Sequence, residues 1–594
     1  MKKLVLENGI ENELTLYPNE DGQGVVISQD EMLNISKKYY KIYDVITSRF
    51  SAVIDDALRV EGVSTEVVVR NACVPIVYAY LDRLIRLNKI VISSGLDFNV
   101  PKVINYTTPL SVSEFRDNIN QSPDFNEYIV AWISRLWGVC QRDKRTPSEA
   151  FIVKNKYNNL SRVYRKTMLN GSLYRLNVIF SRLKKGNIPV FGEANNEIPF
   201  MSRGFYRRFF CKLELDWEEK YTDVNRGLRD KIFTDDLFKC GDLDDFFKEN
   251  NIQIDGKNIY NDLCLFFKKF YPIDSLELFS HNTQQAKEVL QKYTSKFIIA
   301  RGGSTKGRFI VAVAKYNRIK VIGMQHGGYY GYINDLHSTI ALEYRDIDIF
   351  ISWGWVRLPE NLEKNVKVVP LPSPWLSERK SFWNYVEKNK RKEYDILFMP
   401  NAVLRFPGTL SGASGARADV TQDTAICVKN TVEILASNGI SIIHKPYCNK
   451  TLLILKKTIR YLEIKYDGIY KCIHEIDKGF DADLISKSNL VLYTQPGTGF
   501  IECITAGIPV MIYWSGFSSK EEKWAVDIFN KLERVGVVHR NINSMHREVL
   551  LFKKSPYGWM NSIERRNTIS DFIDLYCNVD YNWHVKWEAY LNNL

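Results

Sequence analysis

The stretch Tyr493-Thr494-Gln495-Pro496-Gly497-Thr498-Gly499-Phe500-Ile501-Glu502-Cys503-Ile504-Thr505-Ala506-Gly507-Ile508-Pro509-Val510 reads as a strand end, a small-residue turn, a helix and the start of another strand. Residues 490–493 are apolar throughout, the pattern of a strand covered on both faces. The turn offers two glycines and a threonine hydroxyl where a helix begins. Unpaired N–H groups and partial positive charge at a helix N-terminus suit a phosphate. Glu502 follows one turn in, placed to accept from a ribose or sugar hydroxyl. The same turn also reads as a tight βα connection whose glycines only relieve backbone strain. Short Gly-rich turns are common, so the segment alone does not choose between the two.

The pattern extends outward on both sides. From about Ser295 the chain alternates strands and helices: a strand over 296–300, the loop Arg301-Gly302-Gly303-Ser304 and a helix to about Asn317. A strand over 320–324, the loop Gln325-His326-Gly327-Gly328-Tyr329-Tyr330-Gly331 and a strand over 348–352 follow. The proline-punctuated residues 369–374 read as a linker. A second series then has strands over 395–399, 441–444, 490–493 and 509–513 and helices over 422–438, 451–465 and 500–507. Strands separated by helices imply parallel βαβ sheets. Two such sheets leave a cleft, and ligands bind beyond the C-terminal strand ends. The N-terminal half is α-rich: residues 30–90 carry apolar residues at three- and four-residue spacing. Further helices are expected near 125–140, 157–185 and 222–249, with short strands at 89–93 and 188–191.

The expected organisation is an N-terminal unit over 1–372, α-rich and Rossmann-like, with a helical basic insertion at about 150–250. A C-terminal Rossmann-like domain spans 373–560, and helices over 561–594, ending in YNWHVKWEAYLNNL, pack back across the other domain.

The 594 residues allow two large domains, and the composition is ordinary for a globular protein, 45% hydrophobic and 25% charged. Ten scattered cysteines form no CxxC pair and no Cys/His cluster with zinc spacing, which suggests reduced thiols in a cytosolic protein. The N-terminus turns acidic too soon for a signal peptide, and no apolar run approaches the roughly 20 residues of a spanning helix. The net charge of +12 is concentrated: residues 154–212 hold 13 lysines and arginines against two acids. This segment reads as a solvated helix face, as a surface for anionic membrane or lipid-linked phosphate, or, third, as a nucleic-acid contact, for which no motif is present.

Each strong candidate loop follows a strand: Arg301-Gly302-Gly303, Gln325 to Gly331, His444-Lys445-Pro446 and Thr494 to Gly499. Four strand-end loops, two per domain, favour a ligand cleft. His326 reads either as a loop-structuring histidine or as a group that polarises a phosphate or moves a proton. His444 with Lys445 reads as a phosphate contact or as a satisfied buried histidine. Gln325 and Arg301 are candidate polar partners. Three DxD triplets, at Asp242/Asp244, Asp346/Asp348 and Asp481/Asp483, are rejected as metal sites because such triplets arise freely by chance. Glu193 and Asp335 are better placed as base or nucleophile. There is no GxxxxGK[ST] loop, HExxH, GxSxG elbow or kinase signature set.

The combination of QHGGYYG at 325–331, ALEYRDIDIFISWGW at 341–355 and TQPGTGFIECITAGIPV at 494–510 resembles transferases encoded in bacterial O-antigen and capsule loci. More distantly it resembles GT-B glycosyltransferases that move Kdo, sialic acid or related nonulosonic acids from CMP-sugars. The resemblance covers roughly residues 295–515. It implies an α/β GT-B fold of two Rossmann-like domains facing a cleft. It also implies a CMP-sugar donor bound without a metal at His444, Lys445, Pro446, Thr494, Gln495, Pro496, Gly497, Thr498, Gly499 and Glu502. Arg301, Gly302, Gly303, Gln325 and Gly327 would line the opposite wall, with His326, Asp335 and Glu193 as candidate catalytic groups. The acceptor would be a glycan or lipid-linked glycan at the inner face of the cell membrane, approached through residues 154–212, with no nucleic-acid partner. UDP- or GDP-sugar transfer, polyol-phosphate transfer and a non-catalytic membrane- or polyanion-binding scaffold are the rival readings.

Overall fold

The computed structural model describes residues 2–5, 13–96, 98–102, 106–139, 141–144, 188–192, 201, 210–213, 215, 217–218, 223–252, 254, 256–293, 295–300, 304–334, 340–358, 366–386, 392–406, 418–476, 482–517 and 519–594. Most of the basic segment, together with the helix expected over 157–185, lies outside the described residues.

A small parallel sheet of β1 (Lys2–Val5), β2 (Glu13–Thr15), β3 (Phe98–Lys102) and β4 (Gln141–Lys144) has the order β2-β1-β3-β4. Beside it run two 30-residue helices, Gln29–Leu58 and Thr65–Ser94. Ser28 caps the first by accepting from the Glu31 N–H. The second is buried on nearly every side from Thr65 to Asn88. Residues 89–93, expected as a strand from their β-branched run, continue this helix. Leu87 and Ile90 are already packed into the core, and tertiary burial overrides a local β preference.

The first large sheet comprises β5 (Ile188–Phe191), β6 (Phe210–Lys212), β7 (Phe297–Ala300), β8 (Lys320–Met324), β9 (Ile349–Ser352) and β10 (Lys367–Pro370), in the order β10-β9-β8-β7-β5-β6. All of its pairings are parallel. The residues read as a linker thus begin with an edge strand. Pro370 is tolerated there because an edge strand leaves one row of N–H groups unpaired.

The second sheet comprises β11 (Tyr394–Met399), β12 (Ile442–His444), β13 (Tyr470–Cys472), β14 (Ser488–Tyr493), β15 (Val510–Tyr513) and β16 (Val538–His539). Its order, β13-β12-β11-β14-β15-β16, is that of a doubly wound sheet whose direction reverses between its first and fourth strands. β13 and β16 were not anticipated, being only three and two residues long.

The final helices close the architecture. Trp583, Trp587 and Leu591 of the Trp583–Asn592 helix pack on the first sheet against Ile299, Ile322 and Ile351. Trp587 Nε1 donates to the Pro372 carbonyl at 2.8 Å. The chain therefore returns from the second α/β unit to cover the first, and the whole is a GT-B-like α/β fold with a helical N-terminal elaboration.

That elaboration also grips the second unit. Arg86 makes two hydrogen bonds to Asp419, at 2.9 and 2.8 Å, with both side chains buried. Glu20 accepts from the Lys457 and Thr458 N–H groups at the start of the Lys456–Lys465 helix, supplying the negative charge that a helix N-terminus favours. Among the described residues no helix is long and apolar enough to cross a membrane.

Candidate functional site

The loops after β8 and β14 meet face to face. The Gly328 N–H donates to the Thr498 hydroxyl at 2.9 Å, and the Tyr332 hydroxyl donates to the Pro496 carbonyl at 2.7 Å. A Cβ on Gly328 would stand 2.6 Å from the Gly497 carbonyl carbon, and one on Gly327 would stand 2.9 Å from the Thr498 hydroxyl. A Cβ on Gly497 would stand 2.7 Å from the Tyr329 hydroxyl. Gly497 itself has φ −89°, a conformation open to any residue. Its glycine therefore serves close approach between loops, and strain relief is not the reason for it. Gly499 likewise faces the Tyr493 hydroxyl.

The Thr498–Ala506 helix begins at Gly497 without a side-chain cap, so its first N–H groups take no side-chain acceptor. It ends on Gly507 at φ 73°, a left-handed C-cap.

The C-terminal ends of β12, β11 and β14 form a buried floor beside this turn. The Lys445 N–H donates to the Phe398 carbonyl at 2.9 Å, and its side chain is buried, as is Pro446. The Thr494 hydroxyl accepts from the Asn401 N–H at 2.9 Å. Gln495 hydrogen-bonds the Tyr329 hydroxyl. Asn401 is 3% exposed, and its Nδ2 has no hydrogen-bond partner, which is costly for a buried donor. Sequence reasoning passed over Asn401, although it lies just beyond a strand end like the residues chosen.

Three assignments change. His444 is fully buried and its Nδ1 meets the Tyr470 hydroxyl at 2.7 Å. Burial, with the charge of His474 as a lesser cause, pushes its pKa down to about 3, so the imidazole is neutral, and its buried Nε2 has no hydrogen-bond partner. Glu502, expected to accept from a ribose hydroxyl, is buried and already engaged. Its Oε1 accepts from Trp383 Nε1 at 2.7 Å and from Arg379 Nε, both on the Pro374–Val386 helix, while burial raises its pKa. Gln325 is fully buried, donating to the Gly327 carbonyl at 2.8 Å. Its oxygen accepts from the Trp353 N–H at 2.9 Å and from Trp355 Nε1 at 2.7 Å, so its amide shapes the loop from within.

His326 stands with Glu343 and Tyr330. Its Nε2 lies 3.2 Å from Glu343 Oε1 and also contacts the Tyr330 hydroxyl, which donates to Glu343 Oε2 at 2.7 Å. His326 and Glu343 keep 21% and 27% of their side-chain surface exposed. A carboxylate against an imidazole orients the ring and stabilises its protonated form. Glu343, which no sequence motif marked, supplies that carboxylate here. Asp335, Glu193, Arg301, Gly302 and Gly303 lie outside the described residues. Asp346, one acid of a rejected DxD triplet, is held between Arg70 at 2.7 Å and Arg308 at 3.1 Å.

Residues 66–591 match the sequence model of the LIC12162 transferase family. The chain is similar to MurG of Acinetobacter baumannii, with 14% identity over 49% of this chain and 76% of that one, at a TM-score of 0.27. It is similar to UDP-GlcNAc 2-epimerase from Neisseria meningitidis bound to UDP-GlcNAc, with 14% identity over 53% and 87%, at a TM-score of 0.31. It is also similar to Phytolacca americana UGT2 complexed with UDP-2fluoro-glucose and pterostilbene, with 11% identity over 50% and 74%, at a TM-score of 0.28. Among curated proteins none matches the chain.

Proposed function

This chain belongs to the LIC12162 family of transferases, and we propose that it is a glycosyltransferase that takes a sugar from a nucleotide donor held on the second sheet. The observation that carries this reading is the Gly328–Thr498 contact, which joins the two strand-end loops into one wall. In this reading the uncapped N-terminus of the Thr498–Ala506 helix and the Lys445 side chain receive the donor phosphate. Thr494, Gln495 and the unpartnered Asn401 amide serve the nucleoside. His326 takes the proton of the acceptor hydroxyl, Glu343 steadies the resulting imidazolium, and the bond from the sugar to the nucleotide phosphate breaks as the new glycosidic bond forms.

Within that class we favour a CMP-linked acidic sugar of the Kdo or nonulosonic type, delivered to a surface glycan on a lipid carrier at the inner face of the membrane. The support is the sequence resemblance, together with the single buried lysine at the strand end, since one phosphate needs no divalent clamp.

Thermal-shift measurements with CMP, CDP, UDP and GDP test it. Ligand at 100 times its Kd stabilises by about 2.7 kcal/mol. A CMP-selective rise in Tm supports the reading, and a UDP- or GDP-selective rise moves the donor while keeping the chemistry. No nucleotide response, combined with strong binding to anionic vesicles or polyanions, overturns it in favour of a scaffold.

A further inference from the structure

We infer that Glu463, Cys472 and His474 form a structural site for a borderline divalent cation of the zinc type, at the outer edge of the second sheet. The three donor atoms all lie within 4.8 Å of one another. Two features of the fold bring them together. Along the edge strand β13 and just beyond it, residues 470, 472 and 474 alternate with 471 and 473, so all three share the face turned to the Lys456–Lys465 helix. On that helix Ile459 and Leu462 are buried, which turns the neighbouring Glu463 towards the same strand. Cys472 is 4% exposed, and Glu463 Oε1 meets His474 Nε2 at 2.6 Å.

Thiolate, imidazole and carboxylate are the donor set that suits Zn²⁺ rather than Mg²⁺ or Ca²⁺. Around a tetrahedral zinc, with bonds of about 2.0–2.3 Å, neighbouring donors stand roughly 3.3–3.8 Å apart. His474 keeps 58% of its side chain in solvent, so it turns to that spacing freely, and the fourth position opens to water. Binding replaces the thiol proton with the metal and releases that proton to solvent. The spacing of these residues, nine positions from Glu463 to Cys472, matches no sequence signature for zinc, because the site is assembled between a helix and a strand.

The role is to clip an exposed edge. β13 has only three residues and, among the described residues, no strand beyond it, so its pairing to β12 is otherwise weakly held. Its last ladder bond, from the Ile473 N–H to the His444 carbonyl at 2.9 Å, supports the strand end that carries Lys445. β13 stands three strands from β14, about 14 Å at the usual strand spacing, which separates the cation from the proposed reacting centre. The inference is independent of the donor assignment.

The test titrates Co²⁺ and Zn²⁺ into the full-length protein after chelation. The expected result is one equivalent of bound Co²⁺ with a thiolate-to-cobalt charge-transfer band, displaced by Zn²⁺, and a higher Tm with Zn²⁺. Cys472→Ser removes the band. His474→Gln, at an exposed position where folding is not at risk, weakens affinity by more than about tenfold. His281→Gln, at a histidine remote from the cluster, leaves the titration unchanged. Absence of a thiolate band in the wild-type protein, or a band and affinity that survive both Cys472→Ser and His474→Gln, overturns the inference.

Discussion

Across 170 residues of sequence, the Gly328 N–H reaches the Thr498 hydroxyl at 2.9 Å, so a loop of the first sheet stands against the helix N-terminus of the second. The approach requires the missing side chains at Gly328 and Gly497, since a Cβ at either would fall within 2.7 Å of the opposite loop.

Gly328→Ala is therefore expected to part the loops. Misplacement of reacting groups by about 1 Å costs on the order of 10²-fold in rate, and a loss of that size in transfer is expected with little change in Tm. Thr498→Val, which keeps the side-chain volume, is expected to lose about 1 kcal/mol of stability. Steady-state kinetics beside thermal unfolding checks both. Wild-type turnover in Gly328→Ala would show that the close contact is not needed.

His326→Ala and Glu343→Gln are expected to lower kcat by about 10²–10⁴-fold, the range of general acid–base contributions. The nucleotide-induced shift in Tm should be preserved, because neither group holds the donor in the proposed reading. Tyr330→Phe removes one hydrogen bond to Glu343 and is expected to fall between these variants and wild type. Equal loss of nucleotide binding in His326→Ala would move that residue from the chemistry to the donor.

The buried histidines predict an acid-labile second domain. Burial holds His444 down to about 3 and His539 down to about 4, both from an ordinary 6.5. As pH falls through about 6.5 the unfolded chain gains protons that the folded chain refuses. The stability from these neutral rings is complete above that pH and is lost progressively towards pH 4 and below. His444→Gln, able to keep a bond to the Tyr470 hydroxyl, is expected to flatten the slope of urea-unfolding free energy between pH 6.5 and 4. An unchanged slope would remove His444 as its source.

Arg86→Ala would leave Asp419 and Asp82 buried with fewer partners, since Arg86 Nε also lies 3.2 Å from Asp82 Oδ1. A loss of about 3–5 kcal/mol is expected. Chemical denaturation should also reveal a looser attachment of the N-terminal helices, as an earlier transition resolved by limited proteolysis.

Trp587→Ala opens the first sheet where its ring packs, and about 3–5 kcal/mol of stability should be lost. Calorimetry would detect this. A mutation in the last eight residues would then destabilise strands that precede it by more than 200 positions, as expected of a chain that returns to its first sheet.

The two parallel sheets were legible because a strand covered on both faces is written as a short apolar run, and the turn after it in small and polar residues. KFIIA, KVIGM and LVLY needed no neighbours to be read. Shorter strands carried too little signal: β13 and β16 have three and two residues, and their pairing depends on partners already in place. The strand proposed for residues 89–93 failed for the opposite reason, because a buried helix carried straight through a β-branched run.

Local pattern alone determined the α/β class and, among the described residues, the loops beyond the ends of β8, β12 and β14. Which side chains are buried or paired depended on contacts that no local pattern encodes. His444 and Lys445 both read as phosphate contacts in sequence, yet both are buried, and burial holds the imidazole neutral. Glu502 looked free to meet a sugar until Arg379 and Trp383 arrived from 123 and 119 residues away. Glu343, unnoticed in sequence, reached His326 across 17 positions. Hydrophobic periodicity is a property of a few adjacent residues, whereas desolvation and charge pairing belong to whatever the folded chain brings alongside, and the site is made of the latter.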